Sequence, residues 1–138
     1  MNVLIIDDEP GLRHTVSLIL GEEGYEVATA SDGEEGFAKA IELKPDIILC
    51  DVRMPRLNGL EFLERYKAQD GQAMVIVMTA YGGMDLAIQA MKKGAYDYIP
   101  KPFSPDQIVL ALKKAEERES LRQEVTRLRE EVAIERRY

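Results

Sequence analysis

Five short apolar runs, separated by stretches of helical period, frame the 138-residue chain. They fall at residues 2–6, 26–30, 46–50, 74–78 and 96–99. The first, third and fourth are apolar at nearly every position, as strands covered by helices on both faces must be. The second alternates Glu26, Val27, Ala28 and Thr29, which suits an edge strand. Strands alternating with helical patterns build βαβ units, so the pattern predicts an α/β fold around a parallel sheet.

The intervening stretches supply the helices. Leu12, Val16, Ile19 and Leu20 mark the inner face of the first, with Pro10 in its first turn. Phe37, Ala40 and Ile41 mark the second, introduced by Ser31-Asp32-Gly33-Glu34 with capping-box spacing from Ser31. Phe62, Leu63 and Tyr66 follow Asn58-Gly59 in the third, and Met84, Ala87, Ile88 and Met91 stripe the fourth, which Gly94 closes. Ser104-Pro105-Asp106-Gln107 opens the fifth with a cap, a proline at the first turn and a glutamine three residues after the cap.

The fifth helical pattern outruns a domain of this size. From Gln107 to Tyr138 there is no Gly or Pro, and Leu121, Val125, Leu128 and Val132 recur at heptad steps flanked by Arg and Glu. Backwards, the same register meets Arg118 and Lys114, so the seam fades toward the body. The expected division is a globular domain over 1–117 and a helical linker, a possible coiled coil, over 118–138.

Composition narrows the class. The net charge of −7 and the pI near 4.8 argue against binding of nucleic acid by this segment, which would need a basic face. The single cysteine, Cys50, cannot form an internal disulfide and lies inside an apolar run, where it reads as a small buried hydrophobe. No signal-like or membrane-spanning stretch is present, so the expected compartment is the cytoplasm, with no membrane contact.

The chemistry sits at the strand ends. The first run ends in Asp7-Asp8, the third in Asp51, the fourth in Thr79 and the fifth in Lys101. In an open parallel sheet, ligands collect outside the carboxyl ends of the strands, so these groups face one crevice. Gathered carboxylates repel one another unless a cation intervenes, and a small hard ion such as Mg²⁺ suits one or two carboxylates plus water and phosphate oxygens. The only histidine, His14, has no partner spacing, and zinc chemistry is not expected. The first strand does not lead into a glycine-rich P-loop, so a phosphate must be carried by a ligand or be covalent. A carboxylate can itself attack phosphorus, with the cation, Lys101 and Thr79 neutralising the three equatorial oxygens. Singly, each group has a bland reading: a charged first turn, a strand-end cap, a solvated lysine. All four at four strand ends make coincidence the weaker account.

Asp7-Asp8, Asp-Val-Arg-Met-Pro from Asp51, Met-Thr-Ala around Thr79 and Gly-Ala-Tyr-Asp-Tyr-Ile-Pro-Lys-Pro-Phe through Lys101 strongly resemble the receiver domain of two-component response regulators. The resemblance implies a flavodoxin-like (CheY-like) doubly wound sheet of order 2-1-3-4-5, a topology for which this family is itself a standard example. It implies phosphoryl transfer from a sensor histidine kinase to Asp51. It also implies Mg²⁺ held by Asp8, Asp51, the backbone carbonyl of Arg53 and, through water, Asp7. Thr79 and Lys101 match the phosphate-sensing pair, Tyr98 the switch aromatic, and the Lys101-Pro102 bond is expected to be cis. Such a domain catalyses only its own phosphoryl transfer and loss. The alternative for Tyr98 is a plain strand aromatic packing against Ile108.

The strand-end motifs and charged helical linker are similar to the nitrogen-regulation (NtrC) class, in which the receiver precedes an ATPase acting on sigma-54 and a DNA-binding domain. That implies switching of the fourth helix, fifth strand and fifth helix, homodimerisation through the fifth helix and linker, and transcription as output. The alternatives are a stand-alone receiver acting through protein contacts, a degenerate receiver scaffold, a flavodoxin-like cofactor binder and a haloacid-dehalogenase-like phosphatase. The last wants a second acid where Arg53 stands, and the acidic first loop opposes the flavin reading.

Overall fold

Val3 to Ile6 and Ile47 to Cys50 present no polar side chain, and such segments are stable only with both faces covered. In the computed structural model, which describes residues 1–80 and 83–136, both are central strands. The elements run β1 (Asn2–Ile6), α1 (Pro10–Glu22), β2 (Glu26–Ala30), α2 (Gly33–Leu43), β3 (Ile47–Asp51), α3 (Gly59–Ala68), β4 (Met74–Thr79), α4 (Met84–Lys92), β5 (Asp97–Pro100) and α5 (Pro105–Glu135). The sheet is parallel throughout, in the order β2-β1-β3-β4-β5 that the resemblance implies, with β2 at an edge as its alternation suggests.

Two apolar layers sandwich it. On one face Val3, Ile5, Leu49, Ile76 and Ile99 meet Val16 and Leu20 of α1 and Ile108 and Leu112 of α5. On the other, Leu4, Ile6, Ile48, Val75 and Val77 meet Phe62, Leu63 and Tyr66 of α3 and Ala90 of α4. The register brings the functional strand ends level. Asp51 pairs with Met78 across β3 and β4, and Thr79 pairs with Pro100 across β4 and β5.

Local details depart from the pattern reading. The cap of α2 is Asp32, whose Oδ1 accepts from the Glu35 amide at 2.8 Å, and not Ser31. Ser31 instead donates its amide and hydroxyl to the Glu35 carboxylate, so the cap lies one residue later and no reciprocal box closes on it. Ile41 is exposed, and in α4 only Ala87 of the expected stripe is buried, alongside Ala90. Met84, Ile88 and Met91 are 54%, 47% and 40% exposed. Two alanines let the helix lie close to the sheet, and its bulky residues turn outward.

α5 is one unbroken helix of 31 residues. Ile108, Leu112, Ala115 and Glu119 form its buried stripe, whereas Leu121, Val125, Leu128 and Val132 are exposed. Arg122 reaches back to the Gln72 carbonyl and to Glu119, so the first turn past residue 117 touches the body. The last two residues of the expected linker lie outside the described residues. Among the described residues no helix is long and apolar enough to cross a membrane.

Candidate functional site

Asp7 follows β1 directly and has no exposed surface. Its amide donates to the Ala30 carbonyl at 3.1 Å, its Oδ1 accepts from the Glu9 amide at 2.9 Å, and its carbonyl accepts from Arg13 Nη1 at 2.6 Å. Asp8, the next residue, is exposed. Asp51 ends β3, with Oδ1 accepting from the Arg53 amide at 3.3 Å. The three aspartates each offer an oxygen, and these lie within 4.8 Å of one another. Lys101, just past β5, donates its amide to the Thr79 carbonyl at 2.6 Å, and the Lys101-Pro102 bond is cis. Its ammonium stands 2.9 Å from Asp7 Oδ2 and 3.1 Å from Asp51 Oδ2. Thr79 is buried at the end of β4.

The electrostatics follow from this crowding. Burial raises the Asp51 carboxyl above its ordinary range, the Asp7 charge adds to the rise, and Lys101 opposes both. For Lys101, burial alone would lower the ammonium, but the hydrogen bond to Asp7 and the charges of Asp51 and Asp7 raise it. Burial, followed by those same carboxylates, raises the Cys50 thiol too, which keeps it an inert core group as the sequence implied. Three acids against one ammonium leave negative charge in excess. All-oxygen donors with Asp8 open to solvent fit a small hard cation that keeps part of its water, as Mg²⁺ does.

The chain matches the family model described as the response regulator receiver domain over residues 3–113. It belongs to the receiver domain family of two-component response regulators. This receiver domain is 42% identical over 113 residues to the chemotaxis protein CheY of Thermotoga maritima, covering 81% of this chain and 94% of that protein. It is 37% identical over 131 residues to the nitrogen assimilation regulatory protein NtrX of Azorhizobium caulinodans, covering 94% of this chain and 29% of that one. A crystal structure of NtrX from Brucella abortus superposes with a TM-score of 0.87 at 34% identity, covering 92% of this chain and 29% of the other. The receiver domain thus spans less than a third of NtrX and 27% of the regulatory protein AtoC of Escherichia coli, but nearly the whole of CheY. Receiver domains are signalling modules that interact with histidine kinases and bind Mg²⁺ at an acidic pocket.

Within this receiver domain the fold brings Asp7, Asp8, Asp51 and Lys101 into one cluster, with Thr79 on the adjoining strand end. Arg53 is exposed and lines an open cleft with Asp8, Met54, Asn58 and Leu86. Tyr98 is half-buried against the α3 and α4 layer, whereas Ile108 belongs to the opposite layer, so packing of Tyr98 on Ile108 is excluded. The reason is the strand's alternation, which turns Ile99 to α5 and Tyr98 away from it.

Two residues escaped the sequence reading. Arg13 fixes the Asp7 carbonyl from α1, but an arginine on an amphipathic helix carries no sign of its target. Gly59 donates its amide to the Val52 carbonyl at 2.8 Å, and a Cβ there would come 2.5 Å from the Asp51 carbonyl oxygen and 2.7 Å from Val52 Cα. Only glycine lets α3 start flush against the backbone that carries Asp51. The Asn58-Gly59 pair was the available signal, and it reads equally well as an ordinary helix start.

Proposed function

We propose that this receiver domain accepts a phosphoryl group on Asp51 from a sensor histidine kinase and converts it into altered self-association and an output, transcription in an NtrC-class regulator. The observation that carries the reading is the single ammonium of Lys101 within hydrogen-bonding reach of both Asp7 and Asp51. A buried carboxylate beside a lysine that opposes its protonation can act as a nucleophile, and the site's other acids leave room for a cation.

In the transfer, an Asp51 carboxylate oxygen forms the new bond to phosphorus. The bond from phosphorus to the donor histidine's nitrogen breaks, and its electron pair stays on the imidazole, which then takes a proton. Lys101 neutralises charge on one phosphoryl oxygen and the Thr79 hydroxyl donates to another. Asp7, Asp8, Asp51 and the Arg53 carbonyl are the groups that would hold Mg²⁺, which when bound supplies further positive charge to the phosphoryl oxygens.

The product adds about 1.5 to 2 negative charges at the end of β3. Thr79 turning toward them vacates space that Tyr98 can enter, repacking α4, β5 and α5. Moving that equilibrium from 1:99 to 99:1 takes about 5.5 kcal/mol of differential stabilisation. The body over 1–117 then acts through a linker over 118–138, pairing two chains through α5 and its exposed seam, in the cytoplasm and without contact of this segment to nucleic acid or membrane.

The test is intact mass after incubation with a small acyl phosphate, with and without Mg²⁺, for wild type and Asp51→Asn, with light scattering on both forms. A Mg²⁺-dependent phosphoryl adduct in wild type alone is expected. An undiminished adduct on Asp51→Asn would remove Asp51 from the role.

A further inference from the structure

Parallel sheets gather their ligands at the carboxyl ends of the strands, yet this receiver domain also has a recessed cleft at the opposite end. It holds about 510 Å³ and lies where α2 and α3 end and β3 and β4 begin, with a turn of the extended α5 as one wall. Asp46, which lines it, stands five residues before Asp51, so the two sites are roughly 16 Å apart along β3. The phosphoryl chemistry makes no use of this cleft.

The lining selects a class of ligand. Ala40, Ile41, Pro45, Tyr66 and Ala73 supply apolar surface, and the charged groups are the carboxylates of Asp46, Asp70 and Glu119 and the ammonium of Lys44. Both α2 and α3 end here, and the negative ends of their dipoles favour a cation. The wall is already formed, since Tyr66 Oη accepts from the Ala73 amide at 3.0 Å and Gly71 lies directly against the tyrosine ring. Glu119 is the carboxylate with capacity to spare. It is 4% exposed; its Oε1 accepts from Arg122 and Gln123, whereas Oε2, 2.7 Å from the same Arg122 nitrogen, has no hydrogen-bond partner. Arg122 is itself shared with the Gln72 carbonyl, so a further N–H donor has an acceptor waiting. Among the described residues only Asp7, Asp8 and Asp51 gather their oxygens closely enough for a metal ion, so the cation that fits the cleft is an organic one.

We infer that the cleft binds a small organic cation, an ammonium on a short apolar body, which seats its charge beside Glu119 and fastens the extended α5 to the receiver body. Glu119 and Gln123 come from α5 and the rest of the lining from the body, so an occupant is held by both. A ligand that needs the helix docked stabilises the docked state by mass action. The site is independent of phosphoryl transfer to Asp51 and holds or fails separately from it.

The experiment uses the full 138-residue chain, isotope-labelled and titrated by NMR through the millimolar range. The probes are benzylammonium, the neutral benzyl alcohol, the anion benzoate and a tripeptide with one lysine and blocked ends. Saturating shifts at Ile41, Ala73 and Gln123 are expected with benzylammonium alone among the benzyl probes. Glu119→Gln, which keeps the shape and removes the charge, is expected to weaken binding about ten-fold. Asp70→Asn, at an exposed position whose left-handed backbone asparagine tolerates, is expected to weaken it about two-fold. Unchanged affinity in both variants would remove the carboxylates from the account. Equal shifts from benzyl alcohol would overturn the cation and leave an apolar cleft, and no shift from any probe would overturn the site. Saturation by the tripeptide without binding of benzylammonium would overturn the small ligand in favour of a partner protein's lysine. Amide exchange over residues 118–124 is expected to slow as benzylammonium saturates the cleft; unchanged exchange at saturation would overturn the link to α5.

Discussion

Lys101 and Asp7, ninety-four residues apart, form an ion pair of 2.9 Å between the ends of β5 and β1, and the Asp7 carboxylate has no exposed surface. Removing one partner of such a pair leaves the other charged and without its counter-ion, which costs more than the pair ever contributes.

Lys101→Met is accordingly expected to destabilise the protein by about 2–3 kcal/mol at pH 7, discounted from the fully buried case because Lys101 keeps some exposure. The sign with pH follows from the raised Lys101 pKa. Its stabilisation is fully present below the ordinary value of 10.5 and is lost as pH rises through the higher folded value. The gap between wild type and variant should therefore hold from neutral pH up to that alkaline range, and narrow in acid as Asp51 takes its proton. Urea unfolding at pH 5, 7 and 11 measures it, and identical midpoints at pH 7 would dispose of the idea.

Asp51 predicts the opposite sign. Burial and the Asp7 charge raise its folded pKa above 3.8, so a penalty on the fold sets in as pH rises past 3.8 and is complete once pH exceeds the folded value. Asp51→Asn should raise the thermal midpoint of the metal-free protein at pH 7 and leave it nearly unchanged at pH 3. Added Mg²⁺ should stabilise wild type more than the variant, since a ligand of the native state stabilises by mass action. A variant less stable than wild type at pH 7 without metal would contradict this.

Gly59→Ala tests whether the start of α3 positions the acceptor. The new Cβ would fall 2.5 Å from the Asp51 carbonyl oxygen, so backbone must shift where no flexible side chain can yield. A loss of about 1–3 kcal/mol is expected, with slower phosphorylation from a small donor in the fraction that remains folded. Gly11→Ala has open space around its Cβ and serves as the comparison. Equal stability of the two variants would refute the close approach.

The legibility of this chain was uneven, and the pattern of misses is physical. Runs such as Ile47 to Cys50 announce central strands because both faces are buried, and the strand-end acids and lysine fall together once the parallel order is set. Helix faces were harder. The stripe of Met84, Ile88 and Met91 looks like a core face by size, yet Ala87 and Ala90 are the residues that meet the sheet, because close packing selects small side chains there. The alternative reading of Tyr98, an aromatic packing on Ile108, fails because a four-residue strand with apolar side chains on both sides does not declare which face is which. Glu119 was invisible, being one glutamate among many in a charged helix.

Glu119 also yields the most specific prediction about how the body grips the linker. It is nearly fully buried on α5; its Oε1 accepts from Arg122 Nη2 at 2.9 Å and from Gln123 Nε2 at 3.2 Å. Its Oε2 sits 2.7 Å from the same arginine nitrogen but out of line for a second hydrogen bond. Arg122 in turn caps the Gln72 carbonyl before β4, so two residues of the helix fasten it to the loop between α3 and β4. Arg122→Ala strands a buried carboxylate and is expected to cost about 1–2 kcal/mol, more than Glu119→Gln, which keeps the shape and removes the charge. The two changes together should be less than additive, with a coupling of about 1 kcal/mol. Amide exchange over residues 118–124 should quicken in Arg122→Ala while the β-strand amides stay protected. Simple additivity, with no change in exchange, would mean that the helix leaves the body at Ala115 and that the grip seen at Glu119 transmits nothing.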